Sequence, residues 1–334
     1  MSSPPVSVVM PVHNAEPFLS ECVESILGQT FEDFELVILE NGSSDGSMST
    51  LQRYAAGDPR IRLLEHPEPL GIAGSSNLVV SHSAAPLVAR MDADDVCRSD
   101  RLERQLEVMR AAPDVVVVGT LADGIDSEGR KIRPRDRWRL IRCPEVPFAH
   151  GSAMIRRQAF DRVGGYREVT PLAQDVELFL RLAGCGRIVV LPEALYSYRY
   201  HLDTTTATCP PSDAARSKEM LHRALIERRP GREHDDVARR AATKAPAPDS
   251  VAVGLYYQGA NRLWAGEPPE ILGDVLGGGS FRFTRAWLTT LVWALWGRVS
   301  PRTLRFFLRG WVRGRDLVAG TRVRDGRAYE WRLT

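Results

Sequence analysis

The 334-residue sequence predicts an α/β fold, a sheet with crossover helices on its faces, followed by a helical, arginine-rich C-terminal region. Three observations carry this. Short β-rich runs alternate with helical patterns through the first two hundred residues. The segments just after those runs are polar and rich in turn formers. Beyond Thr204 the strand patterns stop, and Arg- and Ala-rich sequence with helical periodicity takes over.

Element by element, the first strand is expected at Val6 to Met10. Phe18, Leu19, Cys22, Val23, Ile26 and Leu27 then recur at helical spacing, with Asn14 as the expected N-cap. A second strand at Leu36 to Glu40 closes a βαβ unit. A helix from near Asp45 through Leu51 and Tyr54 leads to a third strand, Ile61 to Glu65. Another helix follows the Gly71-Ile72-Ala73-Gly74 loop, before a fourth strand at Leu87 to Met91. Ser99 opens a helix with Leu102, Leu106 and Met109 on one face, and Val115 to Gly119 is the fifth strand. The domain boundary falls near residue 208, at Thr208-Cys209-Pro210-Pro211-Ser212. This divides the chain into 1–208, with halves of about 1–110 and 111–208, and a region 209–334 in which Arg229 to Ser250 reads as a linker.

With 43% apolar and 26% charged residues, the chain can bury a large core and stands outside the disordered regime. Its five cysteines (Cys22, Cys97, Cys143, Cys185 and Cys209) include no Cys-x-x-Cys pair, which argues against a disulfide framework or a zinc knuckle. The Met-Ser-Ser-Pro-Pro start lacks the basic region of a signal peptide. The longest apolar run, Ala286 to Trp296, is 11 residues, where a bilayer-spanning helix needs about 20. A cytoplasmic protein is expected.

Charge is unevenly spread. Residues 281–334 hold 12 arginines, no lysine and three acids, a balance of +9; the whole chain carries +2, so the first 280 residues carry −7. Within this tail, Arg302, Arg305, Arg309 and Arg313 fall on one helical face, and Leu304, Phe307, Leu308, Trp311 and Val312 on the other. Two readings stand: the apolar face packs against the protein, or the helix lies peripherally on an anionic membrane surface on the inner face of the membrane. No nucleic-acid-binding motif accompanies the charge, so nucleic acid is not an expected partner.

Chemistry concentrates after the strands, where open α/β sheets bind ligands. Asp92 and Asp94 flank Ala93 at a strand end, so two carboxylates can face one space with no bulky side chain between them. Hard cations such as Mg²⁺ or Mn²⁺ take such ligands together with phosphate oxygens. Surface turns also produce Asp-x-Asp, so the pair alone does not decide. Asp95 is expected to cap the turn before Ser99.

Several motifs occur in order: Pro11-Val12-His13-Asn14-Ala15-Glu16, Glu40-Asn41-Gly42-Ser43-Ser44-Asp45-Gly46-Ser47, Arg90-Met91-Asp92-Ala93-Asp94-Asp95, His150-Gly151-Ser152-Ala153-Met154, Gly164-Gly165-Tyr166 and Gln174-Asp175-Val176-Glu177-Leu178. Together, over about residues 5 to 203, they resemble the family 2 glycosyltransferases. The resemblance implies a GT-A fold, a Rossmann-like mixed sheet flanked by helices, with the donor nucleotide in its first half and the acceptor in its second. It implies an inverting transfer of one sugar from a nucleotide-sugar donor (UDP-, GDP- or dTDP-linked) to an acceptor hydroxyl, in glycan or glycoconjugate biosynthesis. The acceptor class, whether glycan, lipid-linked, peptide or small molecule, stays open.

By the same resemblance, Pro11, His13, Asn14, Glu16, Glu40, Gly42, Asn77, Arg90 and Asp92 border the nucleotide sugar, Asp94 takes the metal, and Asp175 is the catalytic base. His201, near the domain end where the chain could fold back over the diphosphate, is a lesser candidate for the metal, a lone histidine more often being structural. His13 stands where many relatives have a tyrosine, Glu40 where they have an aspartate, Ser76 where many have an arginine, and Gln174 where they mostly have a glutamate. Each implied role has a plainer counterpart in the sequence. Arg90 also suits a structural ion pair, Asp175 and Gln174 suit a helix N-terminus, His150 is a lesser candidate for phosphate or metal, and Tyr166 suits an exposed ring near the acceptor or a packed one. The Gln-x-x-Arg-Trp motif of processive synthases is missing, so long-chain synthesis is not expected. Two alternatives remain at this point: nucleotidyl transfer, which would call for a basic glycine-rich loop after the first strand, and a non-catalytic relative that binds sugar nucleotides.

Overall fold

A computed structural model of the chain describes residues 3–131, 148–168, 172–201, 203–208 and 329–331. In chain order its elements are β1 (Val6–Val12), α1 (Glu16–Leu27), β2 (Phe34–Asn41), α2 (Ser47–Gly57), β3 (Ile61–His66), α3 (Ile72–Ser81), β4 (Leu87–Arg90), β5 (Val96–Cys97), α4 (Arg101–Ala111) and β6 (Val115–Ile125). A 3-10 turn at His150–Ser152 then precedes β7 (Met154–Arg156), α5 (Arg157–Arg162), α6 (Gln174–Leu182), β8 (Arg187–Arg199), α7 (Thr205–Thr208) and β9 (Tyr329–Trp331).

One nine-stranded sheet runs in the order β3-β2-β1-β4-β7-β6-β8-β5, with β9 also on β8. β3, β2, β1 and β4 are parallel, each step made by a crossover helix. β7 then inserts antiparallel between β4 and β6, and β6 pairs with β8 in parallel. Val8, Met10 and Val12 face one core with Leu19, Cys22, Ile26, Leu102 and Leu106. Val9 points to the other, shared with Val79, Phe148, Phe160 and Phe179. This alternation along β1 is the two-residue period of a strand buried on both faces.

Three local expectations are corrected. Asn14 does not cap α1. Its φ of 49° puts it in the left-handed region, which asparagine tolerates, and Ala15 takes the N-cap position. The Asn14 side chain instead accepts the Ser44 amide at 2.8 Å, tying the first loop to the second. The helix expected from Ser99 begins at Arg101. The C-terminal region is not wholly helical, because Tyr329–Trp331 returns antiparallel to β8. The 208–212 boundary beyond Thr208, the linker, the Ala286–Trp296 segment and the amphipathic arginine helix lie outside the described residues. Among the described residues no helix is long and apolar enough to cross a membrane.

Candidate active site

The carboxyl ends of β1, β2 and β4 lie side by side, so the three polar loops after them share one edge of the sheet. At the end of β4, Arg90 is buried and its Nη2 donates to Asp92 Oδ1 at 2.9 Å. Arg90 Nε and Nη1 are buried without a hydrogen-bond partner among the described residues. Of its two sequence readings, the ion-pair role is the one this contact fulfils. Beneath it, the fully buried Arg101 donates to the Arg90 carbonyl at 2.7 Å and lies over the Tyr196 ring. That contact fixes the backbone entering the acidic turn.

Asp95, expected to cap the turn before Ser99, has a different job. It is wholly buried, accepting the Arg199 amide on Oδ1 at 2.7 Å and the Tyr196 hydroxyl on Oδ2 at 2.7 Å. Burial first, and then the charges of Asp94 and Asp92, push its carboxyl well above the ordinary range. The Tyr196 phenol is pushed up as well, by burial and by Asp95. Asp95 thus pins the acidic turn to β8. On the other side of the turn, a Cβ on Gly151 would overlap the Tyr196 hydroxyl and come within 2.7 Å of Asp92 Oδ2. Only glycine allows the backbone so close.

Asp94 and His201 come together, with Oδ2 3.0 Å from Nε2. The His201 ring lies 4.5 Å from the Phe18 ring of α1, and its Nδ1 is buried without a partner among the described residues. A separation of 3.0 Å suits a hydrogen bond in the metal-free protein. It also matches the edge between neighbouring ligands of an octahedron with bonds of about 2.1 Å. One carboxylate and one imidazole therefore fit a divalent cation as two of its ligands. Among the described residues no cluster of three or more metal-ligating side chains exists, so the remaining positions would fall to water and diphosphate oxygens.

On the nucleotide side, the His13 Nδ1 contacts the Asn41 carbonyl at 2.9 Å, and Asn14 Nδ2 faces its Nε2 at 3.2 Å. A carbonyl only accepts, so Nδ1 carries the hydrogen and Nε2 accepts from Asn14. This leaves the exposed imidazole face held in one orientation beside Pro11. Gly42 has a φ of 67°, and a Cβ there would lie 2.9 Å from Pro69. Glu40 is buried and accepts the Gly42 and Ser43 amides at 3.2 and 2.7 Å. Both of its oxygens brace their own loop. Glu16 opens α1, its amide donating to Asp45 Oδ2 at 3.1 Å while its side chain stays exposed over Gly46. Asn77, expected at the donor, hydrogen-bonds the Tyr166 backbone through its amide, at 2.9 and 2.8 Å.

On the acceptor side, Asp175 lies half-buried in the first turn of α6. The residue before the helix, Ala173, has a φ of 70°, a left-handed conformation costly for alanine. Arg181 holds α6 against the Gly164–Gly165 turn, donating at 2.7 Å to the carbonyls of both Val163 and Gly165 and binding Glu177. Tyr166 is packed, not exposed, with its hydroxyl 2.6 Å from His150 Nε2. That pairing occupies one of the two ring nitrogens of His150. Burial raises the Tyr166 phenol most; the Arg90 charge lowers it, and the Asp175 and Asp92 charges raise it.

The family model described as glycosyl transferase family 2 matches residues 7–165. The putative glycosyltransferase EpsE of Bacillus subtilis (strain 168) is 35% identical over 209 residues, 60% of this chain and 75% of its own length. The chain belongs to glycosyl transferase family 2. A chondroitin synthase of Escherichia coli is 28% identical over 206 residues, 61% of this chain and 30% of that protein. Among solved structures, the mannosyltransferase PcManGT from Pyrobaculum calidifontis, in complex with GDP-Man and Mn²⁺, superposes with a TM-score of 0.58 at 22% identity, covering 93% of this chain and 86% of that one. Staphylococcus aureus TarS 1-349 in complex with UDP-GlcNAc superposes at 0.55 and 16% identity, covering 87% and 80%. The mixed sheet flanked by helices is the GT-A fold of this glycosyltransferase family.

Around this family 2 site, sequence reasoning missed the supports. Arg199, Tyr196, Arg101 and Gln105 are buried beneath the acidic turn. Their only signal was polar residues set in apolar strand or helix faces, which says that a partner is needed but not which one.

Proposed function

We propose that this glycosyltransferase is inverting and metal-dependent, and moves one sugar from a nucleotide-sugar donor to an acceptor hydroxyl in glycan or glycoconjugate assembly. The observation that carries the reading is the meeting of Asp94 and His201, with Oδ2 3.0 Å from Nε2, at the sheet edge where the polar loops after β1, β2 and β4 come together. Asp175, in the first turn of α6, is the carboxylate this reading takes as the base. Nucleotide sugars bound to two proteins of the same fold support the donor class.

Each residue then has a task. The exposed His13 face, with Pro11 and the Asn14-braced loop, offers a platform for the nucleobase; Gly42 keeps that loop open, and Asp92 faces the ribose or a metal-bound water. Asp94 and His201 hold a divalent cation, Mg²⁺ or Mn²⁺, which when bound neutralises the departing diphosphate. Asp175 accepts the proton of the acceptor hydroxyl as that oxygen attacks the anomeric carbon from the side opposite the leaving group, which inverts the centre. The α6 N-terminus favours the carboxylate in that position.

Release of nucleoside diphosphate from a panel of UDP-, GDP- and dTDP-sugars, with and without Mn²⁺, tests the reading. Asp94→Ala is expected to lose metal-dependent donor turnover, and Asp175→Asn to lose transfer while keeping donor binding. Normal transfer by both variants, or a product of retained anomeric configuration, would overturn it.

A further inference from the structure

A histidine that binds a metal through one ring nitrogen usually donates the other to a carboxylate or carbonyl, and this contact sets the ring's orientation. Among the described residues His201 has no such partner: its Nδ1 is buried and unpaired. Something else must aim the ring at Asp94. The ring instead lies against Phe18, with centroids 4.5 Å apart and planes tilted by 43°. The Arg199 guanidinium lies over the same Phe18 ring, 5.0 Å from its centroid.

Arg199 also reaches the other half of the pair. Its Nε donates to the Asp94 carbonyl at 2.7 Å, and its backbone amide to Asp95 Oδ1 at 2.7 Å. Its Nη2 binds Glu21 of α1 at 2.5 Å, and Nη1 donates to the Asp126 carbonyl at 3.2 Å. The side chain is 1% exposed. One guanidinium thus joins three segments: the acidic turn that carries Asp94, the end of β8 that leads to His201, and the first turn and a half of α1. Only the planar fork of arginine can serve these acceptors at once; a lysine ammonium reaches one or two.

We infer that Arg199 and Phe18 are positioning residues of the metal subsite, Arg199 fixing the Asp94 backbone and Phe18 seating the His201 ring. This rests on Asp94 and His201 being the metal ligands. Phe18 stands in the first helix of the donor half, so the contact also makes α1 part of the metal site without supplying a ligand.

The experiment is a titration of Mn²⁺ alone into the full-length, donor-free protein, followed by electron paramagnetic resonance. It compares wild type, Arg199→Lys and Phe18→Leu, with thermal midpoints measured alongside. Phe18→Leu keeps apolar volume and removes the flat face, so it stays informative if the buried Arg199 variant fails to fold. Mn²⁺ affinity is expected to fall about tenfold or more in each folded variant, in the range seen for residues that orient metal ligands. With saturating Mn²⁺, much of the lost turnover should return, whereas a loss of folding alone would not be rescued by metal. Unchanged Mn²⁺ affinity in a folded Phe18→Leu protein overturns the inference and leaves the metal reading standing. Absence of Mn²⁺ binding by the wild type, both alone and with nucleoside diphosphate, overturns both.

Discussion

Asp94 and His201 stand 107 positions apart in the chain and meet at 3.0 Å between Oδ2 and Nε2. The acidic turn supplies one and the segment after β8 the other. Neither is a cluster by itself, and their meeting depends on β5 turning back along β8, which brings the two chain segments side by side.

If these two side chains share a cation, removing either should hurt in the same way. His201→Ala is expected to lower turnover by about 100-fold, comparable to losing one stabiliser of transition-state charge, with the larger part of the loss offset by raised Mn²⁺. Steady-state rates across a Mn²⁺ series check this.

Asp175→Asn removes the proton acceptor and keeps the shape. The rate of transfer should fall by about 10²- to 10⁴-fold, while donor affinity, measured by protection against thermal unfolding, stays within twofold or so. A parallel loss of donor affinity would make Asp175 a binding residue.

Asp95→Ala is expected to act on stability. It strands the Arg199 amide and the Tyr196 hydroxyl in the core, at about 1–3 kcal/mol for each unsatisfied group. Urea unfolding should therefore show a loss of several kcal/mol, or no folded protein.

Gly42→Ala forces a side chain onto a φ of 67° and against Pro69. A loss of about 1–3 kcal/mol is expected, together with weaker donor binding, because the loop braced by Glu40 must shift. Calorimetric titration of the donor and thermal melts report the two effects separately.

The turn between α2 and β3 gives a pH test away from the site. Hydrogen bonds from the Arg60 side chain hold the Asp58 carboxyl below its ordinary value, against a smaller push from burial. A depressed folded value means the stabilisation is fully present above the unfolded pKa of about 3.9. It disappears as pH falls through the lower folded value. Asp58→Asn should melt below wild type at neutral pH, by about 1 kcal/mol or less for so small a partly solvated pair. The gap should close as the pH is taken below about 4.

Much of the frame was legible from sequence. Runs of five residues, four of them apolar in each, marked β1, β2 and β4 because parallel strands bury both faces. The polar residues after them marked the ligand edge, and Asp92, Asp94 and Asp175 stood out against helix and strand patterns. Other features were hidden because long-range contacts decide them. Asn14 reads as an N-cap until Ser44 claims its side chain. Asp95 reads as a local cap until Arg199 and Tyr196, about a hundred residues later, claim its carboxylate. β5 and β7 are two and three residues long, too short to show a period of two, so the antiparallel pairings were not readable. Glu40 and Asn77 also brace backbone that the sequence does not show beside them, Glu40 the Gly42 and Ser43 amides and Asn77 that of Tyr166.

The most direct measurement is calorimetric titration of UDP-, GDP- and dTDP-sugars into the wild-type protein and Asp94→Ala, each with Mn²⁺ and with a chelator. Expected is saturable binding of at least one nucleotide sugar to the wild type, strengthened by Mn²⁺, with the metal-dependent part lost in Asp94→Ala. Binding that ignores both Mn²⁺ and Asp94, or no binding of any nucleotide sugar, would contradict a metal-dependent donor site at the acidic turn.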